Sequence, residues 1–264
     1  VYAPQVVGSA PGSAHTLRLH PGGRYVYLSG GRVYDLADPT RPGLVATFAQ
    51  PSTSGNLHLD LSFSADGRRM YWAAQPVYVF DTTNPANPTV VSTIVPPGMV
   101  IVHDTLPTPD GRFLLISEET LGGVCPHGAV SVWDVRIEAA PVYLGQVWAG
   151  VGPVTDRDQD EPDVGTVFLG FCSSHVMTMD PGGRSFSIGW YRGGSRVFDL
   201  EGLYANDASV AAAWGRYGVG VVEKAFVKPQ GADTSAAKQY PALPGYVFSA
   251  DYSLGFYVSR LTSS

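Results

Sequence analysis

Five copies of one strand-rich unit, an even scatter of turn residues and runs of period-two alternation predict an all-β protein, a single five-bladed β-propeller. The 264-residue chain has Gly 31 and Pro 21, spread along it, which suits many short strands joined by tight turns. Its hydrophobic content of 44% is enough to bury a substantial core. Stretches such as VYVFD (77–81) and SVWDV (131–135) alternate with the two-residue period of a strand.

Each unit runs through a small residue, a histidine, an alternating strand and a Pro/Ala-Gly/Asp-Gly-Arg turn. An apolar strand, a strand ending in Asp and a fourth strand follow. The first blade, 13–50, holds AHTLRLHPGGRYVYLSGGRVYDLADPTRPGLVATF, and the second, 56–96, holds LHLDLSFSADGRRMYWAAQPVYVFDTTNPANPTVVSTI. The third, 100–150, begins IVHDTLPTPDGRFLLISEE and closes on PVYLGQVWA. The fourth, 173–229, opens with SHVMTMDPGGRSFSIGWYRGGSRVFDL, and the fifth, 233–264, is the degenerate TSAAKQYPALPGYVFSADYSLGFYVSRL. That last copy stops after three strands, while QVVGSA (5–10) precedes the first with no blade of its own. The N-terminal strand is therefore expected to complete the last blade and close the ring, removing its exposed edges. Two segments leave the pattern: an insertion over 150–173, and EGLYANDASVAAAWGRYGVG (201–220), where a short helical turn is expected.

VYDLADPTRPGLVATF and VYVFDTTNPANPTVVSTI, with HDTLPTPDGRFLLISEE and the fourth copy, resemble the LVIVD-repeat β-propellers of exported bacterial and archaeal proteins. The likeness lies in a strand, an Asp, a short Asn/Asp-Pro turn and the next strand, and extends over nearly the whole chain. It implies a fold rather than a reaction. It also implies an acidic residue at the end of the third blade's second strand, where Glu118 and Glu119 stand. More remotely, the repeat and its histidines are similar to selenium-binding and methanethiol-oxidase-like propellers, whose His-rich central sites use copper.

The net charge of -6, the pI of about 5.4 and the lack of any Lys/Arg run exclude a nucleic-acid backbone or anionic membrane surface as partner. No apolar run approaches the roughly 18 residues that span a bilayer, so membrane insertion is not expected. A chain that starts at Val1 reads as processed or trimmed, so a missing signal peptide decides nothing. A monomer in an extracytoplasmic or secreted setting is expected, with a cytoplasmic setting as the alternative.

Four histidines share one step of the repeat. His15, His103 and His175 each precede the turn arginine (Arg24, Arg112, Arg184) by nine residues; His58 precedes Arg68 by ten, an offset that one bulge would absorb. The matching place in the fifth copy is Ala236. First strands of blades line the central channel, so these imidazoles are expected to converge at its mouth as ligands of a transition metal, copper or iron ahead of zinc. Asp104 and Glu119 are candidate proton acceptors or further ligands. Tyr191, between Trp190 and Arg192, is a candidate for a substrate wall. The expected function is that of a metal-dependent oxidoreductase acting on a small organic substrate. The alternative is a non-catalytic extracellular binding propeller whose histidines are structural.

Two further signals stand apart. Asp156, Asp158 and Asp160 alternate like calcium ligands, although Glu161 replaces the glycine of an EF-hand loop, which leaves a solvated acidic loop as the other reading. Cys125 and Cys172 form either one bridge across the insertion or two thiols near a histidine; the bridge is the preferred reading.

Overall fold

A computed structural model describes residues 3–48, 59–99, 101–120, 128–150, 172–205 and 218–262. Within them the chain forms five antiparallel sheets, each built from strands consecutive in sequence. The first holds β1 (Leu17–Leu19), β2 (Tyr25–Leu28), β3 (Arg32–Asp35) and β4 (Gly43–Thr47). The second holds β5 (Leu61–Phe63), β6 (Arg69–Trp72), β7 (Val77–Asp81) and β8 (Thr89–Ile94). The third holds β9 (Val102–Pro107), β10 (Phe113–Glu118), β11 (Val130–Asp134) and β12 (Val142–Val147). The fourth holds β13 (Met177–Met179), β14 (Ser185–Gly189), β15 (Ser195–Asp199) and β16 (Val222–Val227). The fifth has three strands, β17 (Thr234–Lys238), β18 (Tyr246–Asp251) and β19 (Gly255–Arg260). The helical turn expected after 201 is α1 (Glu201–Ala205), and the Ala-rich stretch beyond it lies outside the described residues. Among the described residues no helix is long and apolar enough to cross a membrane.

Two local devices repeat the unit. The turn between first and second strands puts Gly23, Gly67, Gly111 and Gly183 at φ between 70 and 76°, a left-handed conformation that glycine adopts without a Cβ clash. The Asp that ends the third strand of each four-stranded sheet accepts the backbone N–H two residues on: Ala37 to Asp35, Thr83 to Asp81, Arg136 to Asp134 and Glu201 to Asp199. These side chains turn the chain toward the fourth strand, which explains the strand-Asp-Pro pattern of the sequence.

Consecutive sheets meet through their first strands. Arg18 Nε donates to the Leu61 carbonyl at 3.1 Å, Ser62 and Thr105 share a hydroxyl hydrogen bond of 2.8 Å, and Met177 N–H donates to Asp104 at 2.8 Å. Val176 forms a parallel bridge with Ala236. Apolar cores fill the spaces between sheets: Tyr27, Trp72 and Phe80 between the first and second, Tyr71, Ile116 and Trp133 between the second and third, Phe113, Phe186 and Trp190 between the third and fourth. The core against the fifth sheet is smaller, with Val197, Ala237 and Val247.

The N-terminal segment departs from expectation. Residues 5–10 form no strand, and the fifth sheet stays three-stranded. The segment is tethered to the first sheet instead: Arg32 and Tyr34 both donate to the Pro11 carbonyl, and a Cβ on Gly8 would strike Pro39 O. Val6 and Val7 are left exposed. Hydrogen exchange is expected to be fast at the Val6 and Val7 amides and slow at Leu115 in β10, which is paired on both sides; protection of residues 5–10 would restore the closing strand.

Candidate metal centre

Sheet pairing sets which side chains reach the channel mouth. Counting from β1–β2, β5–β6, β9–β10 and β13–β14, the residues equivalent to His15 are Leu59, His103 and His175. Leu59 N–H donates to Ala73 O as His175 N–H donates to Gly189 O, so Leu59 rather than a histidine takes this position in the second sheet. His58, which one bulge was expected to bring into line, lies outside the described residues. In the fifth sheet the turn is one residue longer, and Ser235, not Ala236, is the equivalent residue.

The structure brings together His103, His175 and Glu119, whose ligand atoms all lie within 4.8 Å of one another. His103 Nε2 stands 4.0 Å from Glu119 Oε2, and His175 Nε2 stands 3.8 Å from Glu119 Oε1. The two imidazoles are 3.6 Å apart between ring centres. His15 is exposed and meets His103 edge-on at 5.6 Å, beside the triad rather than in it. Tyr191 donates its hydroxyl to Glu119 Oε1 at 2.5 Å.

Each residue is held from behind. His175 donates Nδ1–H to Ser235 O at 2.7 Å and His15 Nδ1–H to Leu59 O at 3.0 Å, in both cases the carbonyl of the equivalent residue in the next sheet. That bond leaves the Nε2 lone pair free and aims it. His103 lacks the corresponding bond; the His175 carbonyl accepts Ser117 Oγ at 2.7 Å. Its Nδ1 is buried without a hydrogen-bond partner. Such an orphaned group costs roughly 1–3 kcal/mol, so the fold by itself does not satisfy this imidazole. His20 is the contrast: it accepts Gly22 N–H at Nδ1 and donates Nε2–H to Gly67 O, a structural histidine with both nitrogens used.

Tyr191 is buried and sits at φ 44°, a left-handed conformation uncommon for a bulky residue. Reciprocal backbone hydrogen bonds with Thr234, 2.8 and 2.9 Å, hold it there. Its neighbour Trp190 is fully buried between the third and fourth sheets. Asp104, read as a proton acceptor, is turned to backbone: its oxygens accept Thr105 N–H and Met177 N–H. Asp60 likewise accepts Arg18 and Thr16. Glu118 points elsewhere than Glu119, as successive residues at a strand end do.

Sequence reasoning passed over Ser173 and Ser174. Ser174 Oγ accepts Glu118 N–H and donates to Ala129 O, while Ser173 Oγ accepts Thr120 N–H. These bonds lock the strand end carrying Glu119 against the segment carrying His175. Cys172, next in line, is disulfide-bonded, and Cys125 is the only other cysteine in the chain. Cys125 and the acidic residues Asp156, Asp158 and Asp160 lie outside the described residues.

Burial sets the protonation of the imidazoles. His103 is held down to about 2 by desolvation first, then by His175 and His15; His175 is lowered chiefly by its own burial. Both are neutral at pH 7, the form that binds metal. In metal-free protein, each contributes stability that is present above pH about 6.5 and declines by up to about 1.4 kcal/mol per unit as pH falls below it, because only the unfolded imidazole takes the proton. Asp104, pushed up to about 8 by burial and by Asp60, acts with the opposite sign. The urea midpoints of wild type and His103→Ala at pH 7.5 and 5.0 isolate one histidine: the variant is expected to lose less on acidification.

No family model matches the chain, and none of the curated proteins does. Solved structures do. Hydrazine synthase of Kuenenia stuttgartiensis is similar with a TM-score of 0.62 at 17% identity, over 94% of this chain and 71% of that one. The periplasmic gluconolactonase PpgL of Pseudomonas aeruginosa aligns with a TM-score of 0.62 at 13% identity, over 92% and 64%. The β-propeller domain of Cps50 (Swd1) from Myceliophteria thermophila aligns with a TM-score of 0.57 at 10% identity, over 93% and 70%. The chain folds as a β-propeller. At these identities the likeness carries the fold alone, so the chemistry of this propeller rests on its own residues.

Proposed function

We propose that this propeller is a metal-dependent enzyme, an oxidoreductase acting on a small organic substrate at the mouth of its channel. The observation that carries the reading is the convergence of two buried imidazoles, His103 and His175, on the Glu119 carboxylate. Ligands at ~2.1 Å around a tetrahedral ion sit ~3.4 Å apart, so the 3.8 and 4.0 Å carboxylate separations need to close by roughly half an ångström, and the three ligand atoms, within 4.8 Å of one another, by up to about 1.4 Å. Two imidazoles and one carboxylate, with further positions open, are the donor set of non-haem iron sites. Glu119 thus enters as a ligand, and iron moves ahead of copper and zinc. A propeller can host an enzyme's site, as the similar gluconolactonase does.

The five sheets are, in this reading, five blades of one ring, of the LVIVD type that the strand-Asp-Pro repeats resemble. The bridged Cys172 supports an oxidising, extracytoplasmic setting. The competing reading, a binding propeller with structural histidines, is favoured by the backbone carbonyls that hold His15 and His175. Elemental analysis of protein purified without chelator separates the two. About one iron, copper or zinc per chain is expected, and at about 100 times Kd the metal adds about 2.7 kcal/mol of stability that chelator removes. Sub-stoichiometric metal with an unchanged melting curve would leave the binding propeller standing.

A further inference from the structure

A file of aromatic rings runs from the candidate centre to the surface. His103 and His175 lie 3.6 Å apart, His175 and Tyr191 4.8 Å, and Tyr191 and Tyr252 6.3 Å with planes only 14° apart. Tyr191 is 1% exposed and Tyr252 is 55% exposed, so the file begins in the protein interior and ends in solvent. Its one buried phenol has a proton acceptor in place, Glu119 Oε1 at 2.5 Å. A phenol gives up an electron readily only when its proton can leave with it, and this hydrogen bond supplies that exit. The same carboxylate offers its other oxygen, Oε2, to the His103 side. Reciprocal backbone bonds to Thr234 hold Tyr191 at φ 44°, and this backbone conformation keeps the ring between His175 and Tyr252.

We propose that Tyr191 and Tyr252 form a one-electron relay between the metal centre and an exposed docking point for small phenolic donors, with a peroxide as the oxidant. The inference rests on the metal-dependent reading above. When a metal ion is bound, it supplies the one-electron couple that the peroxide oxidises. Tyr191 then passes one electron inward and its phenolic proton to Glu119 Oε1, becoming a neutral phenoxyl radical. Tyr252 refills Tyr191 with one electron, and the proton returns from Glu119 to the Tyr191 oxygen. Tyr252 releases its own proton to water and recovers a hydrogen atom from the donor. Two such transfers balance one peroxide: H2O2 plus two phenols yields two waters and two phenoxyl radicals. Dispersion of the exposed ring against a planar donor favours phenols over aliphatic alcohols at this point.

The test uses the full chain with metal content measured first. Protein loaded with iron(II) is mixed with hydrogen peroxide, frozen within seconds and examined by electron paramagnetic resonance, with 4-methoxyphenol as the donor probe. A tyrosyl radical is expected in wild type. Tyr191→Phe should hold its iron and lose the radical. Tyr252→Phe should keep the radical, prolong its life and lose donor oxidation. Iron bound with no radical, or a radical indifferent to Tyr191→Phe, overturns the relay and leaves the metal site intact. Failure to bind iron, copper or zinc overturns both.

Discussion

Replacing His103 or His175 by alanine is expected to abolish stoichiometric metal, reducing affinity beyond the about 10–100-fold that loss of an outer hydrogen-bond partner costs. The two ligand atoms face one carboxylate at 4.0 and 3.8 Å, and either loss leaves a pair of donors where three converge. Stability should respond in the opposite order to metal. His20 satisfies both ring nitrogens with backbone, so His20→Ala strands the Gly67 carbonyl and the Gly22 N–H and destabilises while the metal stays. His103→Ala removes an imidazole whose Nδ1 has no partner, which relieves a penalty of roughly 1–3 kcal/mol and offsets part of the cavity it opens. Titration of apo protein with iron(II) and zinc, read by isothermal calorimetry beside urea unfolding, checks both halves. If His20→Ala and His103→Ala behave alike in both measurements, the histidines of the first strands are structural.

Trp72→Ala is expected to cost about 3–5 kcal/mol, the range for truncating a buried aromatic. Trp72 is fully buried between the first and second sheets, packs edge-on against Phe48 at 5.0 Å and donates Nε1–H to Ser29 O at 3.1 Å. The truncation removes the ring and strands the carbonyl together. Phe256 in β19 is 66% exposed, and Phe256→Ala should stay within about 0.5 kcal/mol of wild type. Urea denaturation followed by far-ultraviolet circular dichroism, which does not depend on the lost indole, gives both values. Near-equal costs would mean that the fifth sheet is covered in solution.

Residues that act through local backbone geometry were legible in the sequence. The turn glycines must take a left-handed φ, and the strand-ending aspartates must cap the next N–H, so both recur wherever the unit recurs. The nine-residue spacing found His103 and His175 for the same reason: equal spacing from a fixed turn means equal register in the sheet. His58 failed that count by one residue, and pairing duly gives its place to Leu59.

What the sequence by itself determined is the repeated unit, its turns and the pair of histidines that share a register. Tertiary structure alone decided that Glu119 rather than Asp104 joins them, that Tyr191 closes on that carboxylate, and that the N-terminal segment is tethered to the first sheet through Pro11 while the fifth sheet stays three-stranded. The physical reason is separation along the chain. Register within a hairpin follows from a few neighbouring residues, whereas the partner of a buried carboxylate or a terminal segment depends on which groups other sheets bring within hydrogen-bond reach.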